Sequence, residues 1–260
     1  MTAEAAPAPA VEPVLRAVDV TKRFGGLTAL DQVSIQVAAG EVLGLVGDNG
    51  AGKSTLIQCI SGVYRPDAGQ VFLEGREVTF ASPMEGRRMG IETIYQDLAL
   101  CENLDAADNI FLGREPATRA LGVLPALDRA TVRREARQVL DQLNIHIPAP
   151  ERPIRQMSGG QRQAVAIARA VYWNAKLMIM DEPTAALGVP EQRKVLALVR
   201  TLRERGVPVI LISHNLLDVF AVADRIVVLR RGRMVGDLAT ARTDTNEVVS
   251  LMVGGPVSAD

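Results

Sequence analysis

The stretch most suited to chemistry is a nine-residue loop that fits G-x-x-x-x-G-K-[ST], a pattern that wraps nucleotide phosphates. Its glycines allow backbone N–H groups to turn inward into an anion-binding concavity that a Cβ atom would block. The lysine can reach the β- and γ-phosphates, and the serine after it can offer a hydroxyl to Mg²⁺. The loop consists of Gly47, Asp48, Asn49, Gly50, Ala51, Gly52, Lys53, Ser54 and Thr55.

The flanks of this loop supply the context that the pattern requires. An apolar run at 42–46 predicts a buried strand before it, and Leu56, Ile57 and Ile60 follow at helical spacing. The positive end of that helix dipole would point at the phosphates. A glycine-rich turn with an unrelated lysine is the alternative, and the order of strand, loop and helix disfavours it.

Three further apolar runs, at 91–95, 177–180 and 209–212, also end close to polar side chains: Gln96, Asp181 with Glu182, and His214. Each alone has an ordinary explanation, such as a surface residue, a loop start or a core histidine. Strands that alternate with helices predict a mainly parallel sheet, whose ligands gather at the carboxyl ends of the strands. We therefore expect these side chains to converge on the phosphates held by the loop.

Two other stretches have both an ordinary and a functional interpretation. Ser158 opens a helix with two glycines and Gln161 behind it, which suits either an anion site or a simple serine N-cap. On local grounds the N-cap is favoured. Phe24 lies beside glycines upstream of the loop, where it could stack on a base or pack in the core.

Composition limits the class of protein. The chain has 260 residues, 48% of them hydrophobic, which suits one large domain or two small ones. Its net charge of −1 gives no electrostatic footprint for nucleic acid. Cys59 and Cys101 are far apart in the sequence, which fits buried thiols in a reducing compartment. No apolar run is long enough to span a bilayer.

The organisation of the chain follows from changes in composition. Residues 1–13 are rich in Ala and Pro and are predicted to be a disordered tail. From about 97 to 165 the pattern becomes helical. Asp128 is predicted to cap a helix whose arginines, at 129, 133, 134 and 137, form a solvated face or, less favoured at this net charge, a nucleic-acid surface.

Taken together, residues 14–252 resemble the ATP-binding subunit of an ABC transporter. The phosphate loop, the turn Ser158-Gly159-Gly160-Gln161, the Asp181-Glu182 pair and His214 occur in the order of that family's motifs. The resemblance implies one α/β domain: a P-loop NTPase core with a mainly parallel sheet, an antiparallel β layer and a helical subdomain at about 97–165. Residues 253–260 would form a C-terminal tail.

The resemblance also implies a composite site in which two ATP molecules lie between two cassettes, head to tail. One chain would supply Lys53, Ser54 and Asp181, and the other would supply Ser158 and Gly160. Further implied roles are Gln96 at Mg²⁺ and the attacking water, Glu182 as general base, His214 on the γ-phosphate and Phe24 on the adenine.

Within the family the chain is most similar to bacterial importers of ribose, xylose or fructose. Implied partners are transmembrane permease subunits, a second cassette and, indirectly, a periplasmic sugar-binding protein, without nucleic acid. The implied location is the cytoplasmic face of the inner membrane. Alternatives are an importer of another substrate class, a non-transport ABC ATPase of the translation or DNA-repair type, and a different P-loop enzyme such as a kinase.

The chain departs from the family pattern at several positions. Gly188 stands where the wider family has an aspartate that contacts the opposite site, so the resemblance does not supply that contact here. Phe24 replaces the commoner tyrosine and keeps the ring without its hydroxyl. Met157 replaces a leucine. The chain carries one cassette, whereas most sugar ATPases of this type carry two.

Replacing Lys53 with alanine tests the phosphate-loop assignment. Removing the ammonium that faces the β- and γ-phosphates should weaken ATP binding by about tenfold or more, because a charge-assisted contact is lost. Equilibrium titration with a fluorescent ATP analogue measures this. Unchanged affinity would contradict the assignment.

Overall fold

The computed structural model describes residues 12–120, 124–185 and 187–254. Most of the predicted N-terminal tail and of the predicted C-terminal tail lies outside these ranges. The described strands form three sheets, of six, four and two strands. The strands are β1 Leu15–Phe24, β2 Leu27–Val37, β3 Val42–Val46, β4 Ala68–Leu73, β5 Arg76–Val78, β6 Ile91–Ile94, β7 Ala117–Ala120, β8 Leu124–Leu127, β9 Leu177–Asp181, β10 Val209–Ile212, β11 Arg225–Arg230 and β12 Arg233–Ala239.

In the described ranges, eight α-helices separate or follow these strands. None of the described helices is both long and apolar enough to traverse a lipid bilayer. The helices are α1 Lys53–Ile60, α2 Pro83–Arg88, α3 Ala106–Phe111, α4 Arg129–Gln142, α5 Gly159–Tyr172, α6 Val189–Glu204, α7 Leu216–Val222 and α8 Thr245–Val253.

The six-stranded sheet confirms the predicted mainly parallel core. Its order is β12-β11-β3-β10-β9-β6, and every neighbouring pair is parallel except β11 with β12. Strands β3, β6 and β10 are buried at every residue. Helices cover such a sheet on its faces, so its strands become continuous apolar runs, and these runs are the ones that the sequence shows.

The four-stranded sheet, in the order β2-β1-β4-β5, is antiparallel throughout. Its inward side chains join one buried cluster with α1 and one face of the parallel sheet, including Leu15, Val33, Leu56 and Ile210. This is the antiparallel β layer that the family resemblance implied. Strands β4 and β5 of this layer form a hairpin that turns at Gly75.

The segment at 97–165 contains α3, α4 and the start of α5, packed against one another. Asp128 caps α4 by accepting a hydrogen bond from Thr131 N at 3.0 Å, as predicted. Val132, Ala136, Val139 and Leu140 are buried, and the four arginines at 129, 133, 134 and 137 are exposed. The helix therefore has a buried apolar stripe opposite the predicted solvated face.

This segment also contains a hairpin that the sequence did not predict. Strands β7 and β8 pair antiparallel, with Ala117 opposite Leu127. The two strands are four residues each and carry no alternation of apolar and polar residues, so no periodic signal marks them.

A buried hydrogen bond joins the loop after β9 to α7. Thr184 Oγ1 donates to Asp218 Oδ2 at 2.7 Å, and both residues are buried. The loop with Thr184 follows β9, and α7 with Asp218 follows β10. The bond therefore fixes the segments after these two neighbouring strands relative to each other.

Replacing Thr184 with valine should lower the free energy of unfolding by about 1–3 kcal/mol, because a buried carboxylate oxygen loses its donor. Urea denaturation monitored by circular dichroism measures the change. Thr201→Val is the matched control, since Thr201 Oγ1 bonds only to a carbonyl of its own helix; we expect an effect within about 0.5 kcal/mol. Equal effects of the two variants would contradict this role for Thr184.

Candidate functional site

The phosphate loop runs from the end of β3 to the start of α1, and its backbone requires glycine at both ends. Gly47 has φ 148°, and a Cβ atom there would lie 2.3 Å from the carbonyl oxygen of Leu229. Gly52 caps α1 with φ 105°, and a Cβ atom there would lie 2.8 Å from the carbonyl oxygen of Ala29. The loop can therefore keep this shape only with glycines at these two positions.

Lys53, the first residue of α1, folds back over the loop. Its Nζ donates to the carbonyl oxygens of Gly47, at 2.6 Å, and Asp48, at 3.0 Å. Burial lowers the pKa of Lys53, while Glu182, Asp181 and Asp48 act in the opposite direction. The ammonium is thus held against the loop, near the carboxylates of Asp181 and Glu182 at the end of β9.

The structure confirms that the polar strand ends converge. Strands β3, β10, β9 and β6 are consecutive neighbours in the parallel sheet. In register, Ile212 of β10 lies level with Leu45 of β3 and Asp181 of β9, and Ile94 of β6 lies level with Met180. The loop, His214, Glu182 and Gln96 therefore leave the same edge of the sheet side by side.

Glu182 and His214 form a two-point contact at this edge. His214 Nδ1 lies 2.7 Å from Glu182 Oε2, and the His214 backbone N–H donates to Oε1 at 2.9 Å. The Glu182 backbone has φ 52° and donates to the carbonyl of Ile212 at 2.9 Å. A left-handed conformation is costly for a non-glycine residue and is concentrated at functional sites. Here it turns the carboxylate towards the end of the neighbouring strand.

Asp181 ends β9 and is half-buried. Burial raises the pKa of its carboxyl group, the negative charge of Glu182 raises it further, and Lys53 lowers it. Two carboxylates in consecutive positions with one ammonium beside them leave excess negative charge. A divalent cation would relieve this excess.

Gln96 is exposed two residues beyond β6. It lines a cleft of about 290 Å³ that is shared with Glu182 and Leu98 and that extends to Gly159 at the start of α5. Gln96 and Glu182 can therefore contact a common ligand or water. Gly159 in the same cleft places the start of α5 beside the carboxyl edge of the sheet.

Phe24 lies at the end of β1 with 41% of its surface exposed. Its ring meets the ring of Tyr64 edge-on, with centroids 5.1 Å apart, and Lys22 Nζ lies 5.6 Å from its centroid. Phe24 lines a cleft of about 500 Å³ together with residues 49–55 of the phosphate loop. Of the two interpretations of Phe24, the structure favours an aromatic face available to a ligand over a core residue.

Ser158 is the N-cap of α5 in a reciprocal capping arrangement. Gln161 N donates to Ser158 Oγ at 3.3 Å, and Ser158 N donates to Gln161 Oε1 at 2.8 Å. The serine N-cap expected on local grounds is therefore present. None of Ser158, Gly159, Gly160 and Gln161 lines the phosphate-loop cleft, as far as the described residues define it.

Sequence reasoning missed the turn between β11 and β12. Arg231 and Gly232 line the phosphate-loop cleft. Gly232 N donates to the carbonyl of Ala51 at 2.9 Å, and Asp31 N donates to the carbonyl of Gly232 at 2.8 Å. The sequence marks a glycine turn here, but no motif spacing relates it to a loop about 180 residues earlier in the chain.

Comparison with known proteins agrees with this geometry. Residues 30–185 match the family described as ABC transporter. The xylose/arabinose import ATP-binding protein XylG of Sulfolobus acidocaldarius is 49% identical over 90% of this chain and 91% of its own. The fructose import ATP-binding protein FrcA of Rhizobium meliloti is 47% identical, with coverage of 94% and 95%. The chain spans 48% of a ribose import ATP-binding protein of Rubrobacter xylanophilus, which is 45% identical over 94% of this chain.

Solved structures show the same fold. The ADP conformation of an ATP-binding cassette of an ABC transporter superposes with a TM-score of 0.80 at 28% identity, covering 94% of this chain and all of that one. A dimeric post-hydrolysis state of another ATP-binding cassette, bound to ADP and Pi, superposes with a TM-score of 0.72 at 26% identity, covering 87% and 98%.

Asp181→Asn should stabilise the protein in the absence of nucleotide and cation. The folded state raises the pKa of Asp181, so it disfavours the carboxylate, and this cost is present above the carboxyl's ordinary pKa. The neutral amide avoids this cost, so the melting temperature at pH 7 should rise. The difference between variant and wild type should vanish as the pH falls through the ordinary aspartate range.

Differential scanning calorimetry between pH 3 and pH 8 measures both effects. A fall in the melting temperature of Asp181→Asn at pH 7 would contradict the predicted direction.

Proposed function

Since this chain belongs to the ABC transporter family of ATP-binding cassettes, we propose that it hydrolyses ATP to drive sugar import through membrane permease subunits. The observation that carries the proposal is the alignment of the ends of β10, β9 and β6 beside the phosphate loop, which follows β3. The names of its relatives supply the substrate class, because XylG and FrcA are xylose/arabinose and fructose import proteins. Translation or DNA repair is not favoured.

The phosphate-loop cleft suits the nucleotide. Phe24 offers an exposed ring to the adenine, and the amides of residues 47–55 with the Lys53 ammonium offer donors to the phosphates. ATP would take the place of the loop carbonyls as the acceptor for Lys53. Phosphoryl transfer depends mainly on such positioning and charge neutralisation.

The donor set at the edge of the sheet suits Mg²⁺. Ser54, Gln96 and Asp181 offer a hydroxyl, an amide and a carboxylate oxygen, and oxygen ligands are what this hard cation takes. The excess negative charge around Asp181 fits a cation at this place. When bound, the cation neutralises charge on the phosphate oxygens.

Glu182 is proposed as the general base, with His214 as its positioning group. The His214 backbone N–H and Nδ1 hold both carboxylate oxygens, and Glu182 itself is 19% exposed at the cleft that contains Gln96. A carboxylate held in this way can accept a proton from a water in line with the γ-phosphate. The His214 side chain is 76% exposed and can also donate to that phosphate.

A second copy of the chain is proposed to complete the site. Within one chain, Ser158 to Gln161 do not reach the phosphate-loop cleft, among the residues described. The first-turn amides of α5 form a helix N-terminus suited to an anion. A similar cassette has been solved as a dimer bound to ADP and Pi. Two copies placed head to tail would bring Ser158 and Gly160 of each to the other's phosphates.

Apolar residues between 98 and 112 could contact the permease or belong to the subdomain core. They are Leu98, Leu100, Leu104, Ile110 and Phe111. Ile110 and Phe111 are completely buried, so they belong to the core. Leu98 and Leu100 are half-buried and line the Gln96 cleft. We propose that this part contacts the permease at the cytoplasmic face of the membrane, with a periplasmic sugar-binding protein on the other side.

Complementation between two inactive variants tests the composite site. Glu182→Gln should bind ATP without hydrolysing it. Ser158→Arg should prevent the start of α5 from contacting the phosphates that are bound by the other chain. In a mixed pair, one of the two sites combines an intact Glu182 with an intact Ser158. Mixing equal amounts should therefore restore about one quarter of wild-type ATPase activity if the pairs form at random.

The matched control is a mixture of Glu182→Gln with Lys53→Ala. In each site Lys53 and Glu182 come from the same chain. Every site of a mixed pair therefore contains one of the two changes, and ATPase activity should remain absent. Phosphate release from the purified proteins measures both mixtures. No recovery in the first mixture, or full activity of Ser158→Arg alone, would contradict the head-to-tail arrangement.

A further inference from the structure

Gly188 leaves room for a neighbouring carboxylate. It is the N-cap of α6 with φ −69° and ψ 159°, an extended conformation that any residue can adopt. A Cβ atom at this position would lie 3.0 Å from Oε2 of Glu191. The backbone thus does not require a glycine here, and the space beside it is occupied by the side chain of Glu191.

Glu191 also touches the turn proposed to face the second cassette. A Cβ atom on Gly160 would lie 3.0 Å from Cγ of Glu191 and 3.1 Å from its Cβ. Glu191 is half-buried between Gly160 and Gly188. Within the part of the chain that the structure describes, its carboxylate has no hydrogen bond or ion pair. Both oxygens of this carboxylate are therefore available to accept hydrogen bonds from a partner.

We propose that Glu191 is a contact residue between the two cassettes, where its carboxylate accepts hydrogen bonds from the second copy when ATP closes the pair. This inference rests on the proposed function, because only the head-to-tail pair brings Gly160, and Glu191 beside it, to the second copy's phosphate loop. The donors available there are backbone N–H groups and hydroxyls. Glu191 is thereby a positioning residue for turnover and does not itself touch the reacting atoms.

A purely structural role for Glu191 makes a different prediction. As an acidic residue in the first turn of α6, it interacts favourably with that helix dipole. Loss of this interaction would lower the melting temperature and leave ATP-driven pairing unchanged. The inter-cassette role predicts weaker ATP-driven pairing and an unchanged melting temperature. Measuring the pairing therefore distinguishes the two roles.

The first experiment measures pairing by analytical ultracentrifugation with ATP and Mg²⁺, in a Glu182→Gln background that does not turn ATP over. Adding Glu191→Gln should raise the dissociation constant of the pair about tenfold or more, because each of the two symmetric contacts loses its charge although its amide oxygen can still accept. ATP affinity of the single chain should change less than about twofold. Glu204→Gln, the same change at the exposed far end of α6, is the control.

The second experiment moves the carboxylate from position 191 to position 188, where the wider family has an aspartate. Gly188→Asp alone should lower ATPase activity, because two carboxylates would then occupy the space of one. Glu191→Ala alone should also lower it. The double variant Gly188→Asp/Glu191→Ala has one carboxylate in that space and should recover to within about threefold of wild type.

The inference is overturned if Glu191→Gln pairs as tightly as Glu204→Gln, or if the double variant is no more active than Glu191→Ala. These failures are distinct from failure of the proposed function. The proposed function itself fails if two copies of the Glu182→Gln protein with native Glu191 do not pair in the presence of ATP. It also fails if the wild type does not hydrolyse ATP.

Discussion

The parallel alignment of β3, β10, β9 and β6 is the constraint on which the rest of the structure depends. Because a strand rises about 3.3 Å per residue, a shift of one residue in any pair would displace the polar residues at the end of that strand by this distance along the sheet. The observed register keeps these strands buried and at the same time brings their carboxyl ends to one level. Burial of the core and assembly of the site are thus two results of one hydrogen-bond pattern.

The cost of this arrangement is concentrated at the edge of the sheet. Lys53 and Asp181 are brought together where burial disfavours charge, and Glu182 beside them adopts a left-handed backbone. These features cost free energy in the nucleotide-free fold. They become favourable only when an anion and a cation enter, so the free energy of binding is linked to that of folding. The strain therefore supports a binding role more strongly than any single motif.

Much of the fold and the site could be predicted because both depend on local patterns. Continuous apolar runs marked β3, β9 and β10, and Ser158 before two glycines marked the start of α5. The β7–β8 hairpin could not be predicted, since its short strands lack alternation. The left-handed conformation of Glu182 depends on a hydrogen bond to Ile212 in the neighbouring strand, which no spacing along the chain reveals.

The bond from Gly232 N to Ala51 O makes the turn between β11 and β12 part of the wall of the nucleotide cleft. Directly before this turn, Arg230 Nη1 at the end of β11 donates to the carbonyl of Leu251 in α8. The Gly232 amide proton is therefore an internal reporter for the loop: its exchange with deuterium requires the loop and the turn to separate. These two hydrogen bonds connect the phosphate loop, through the turn, to α8.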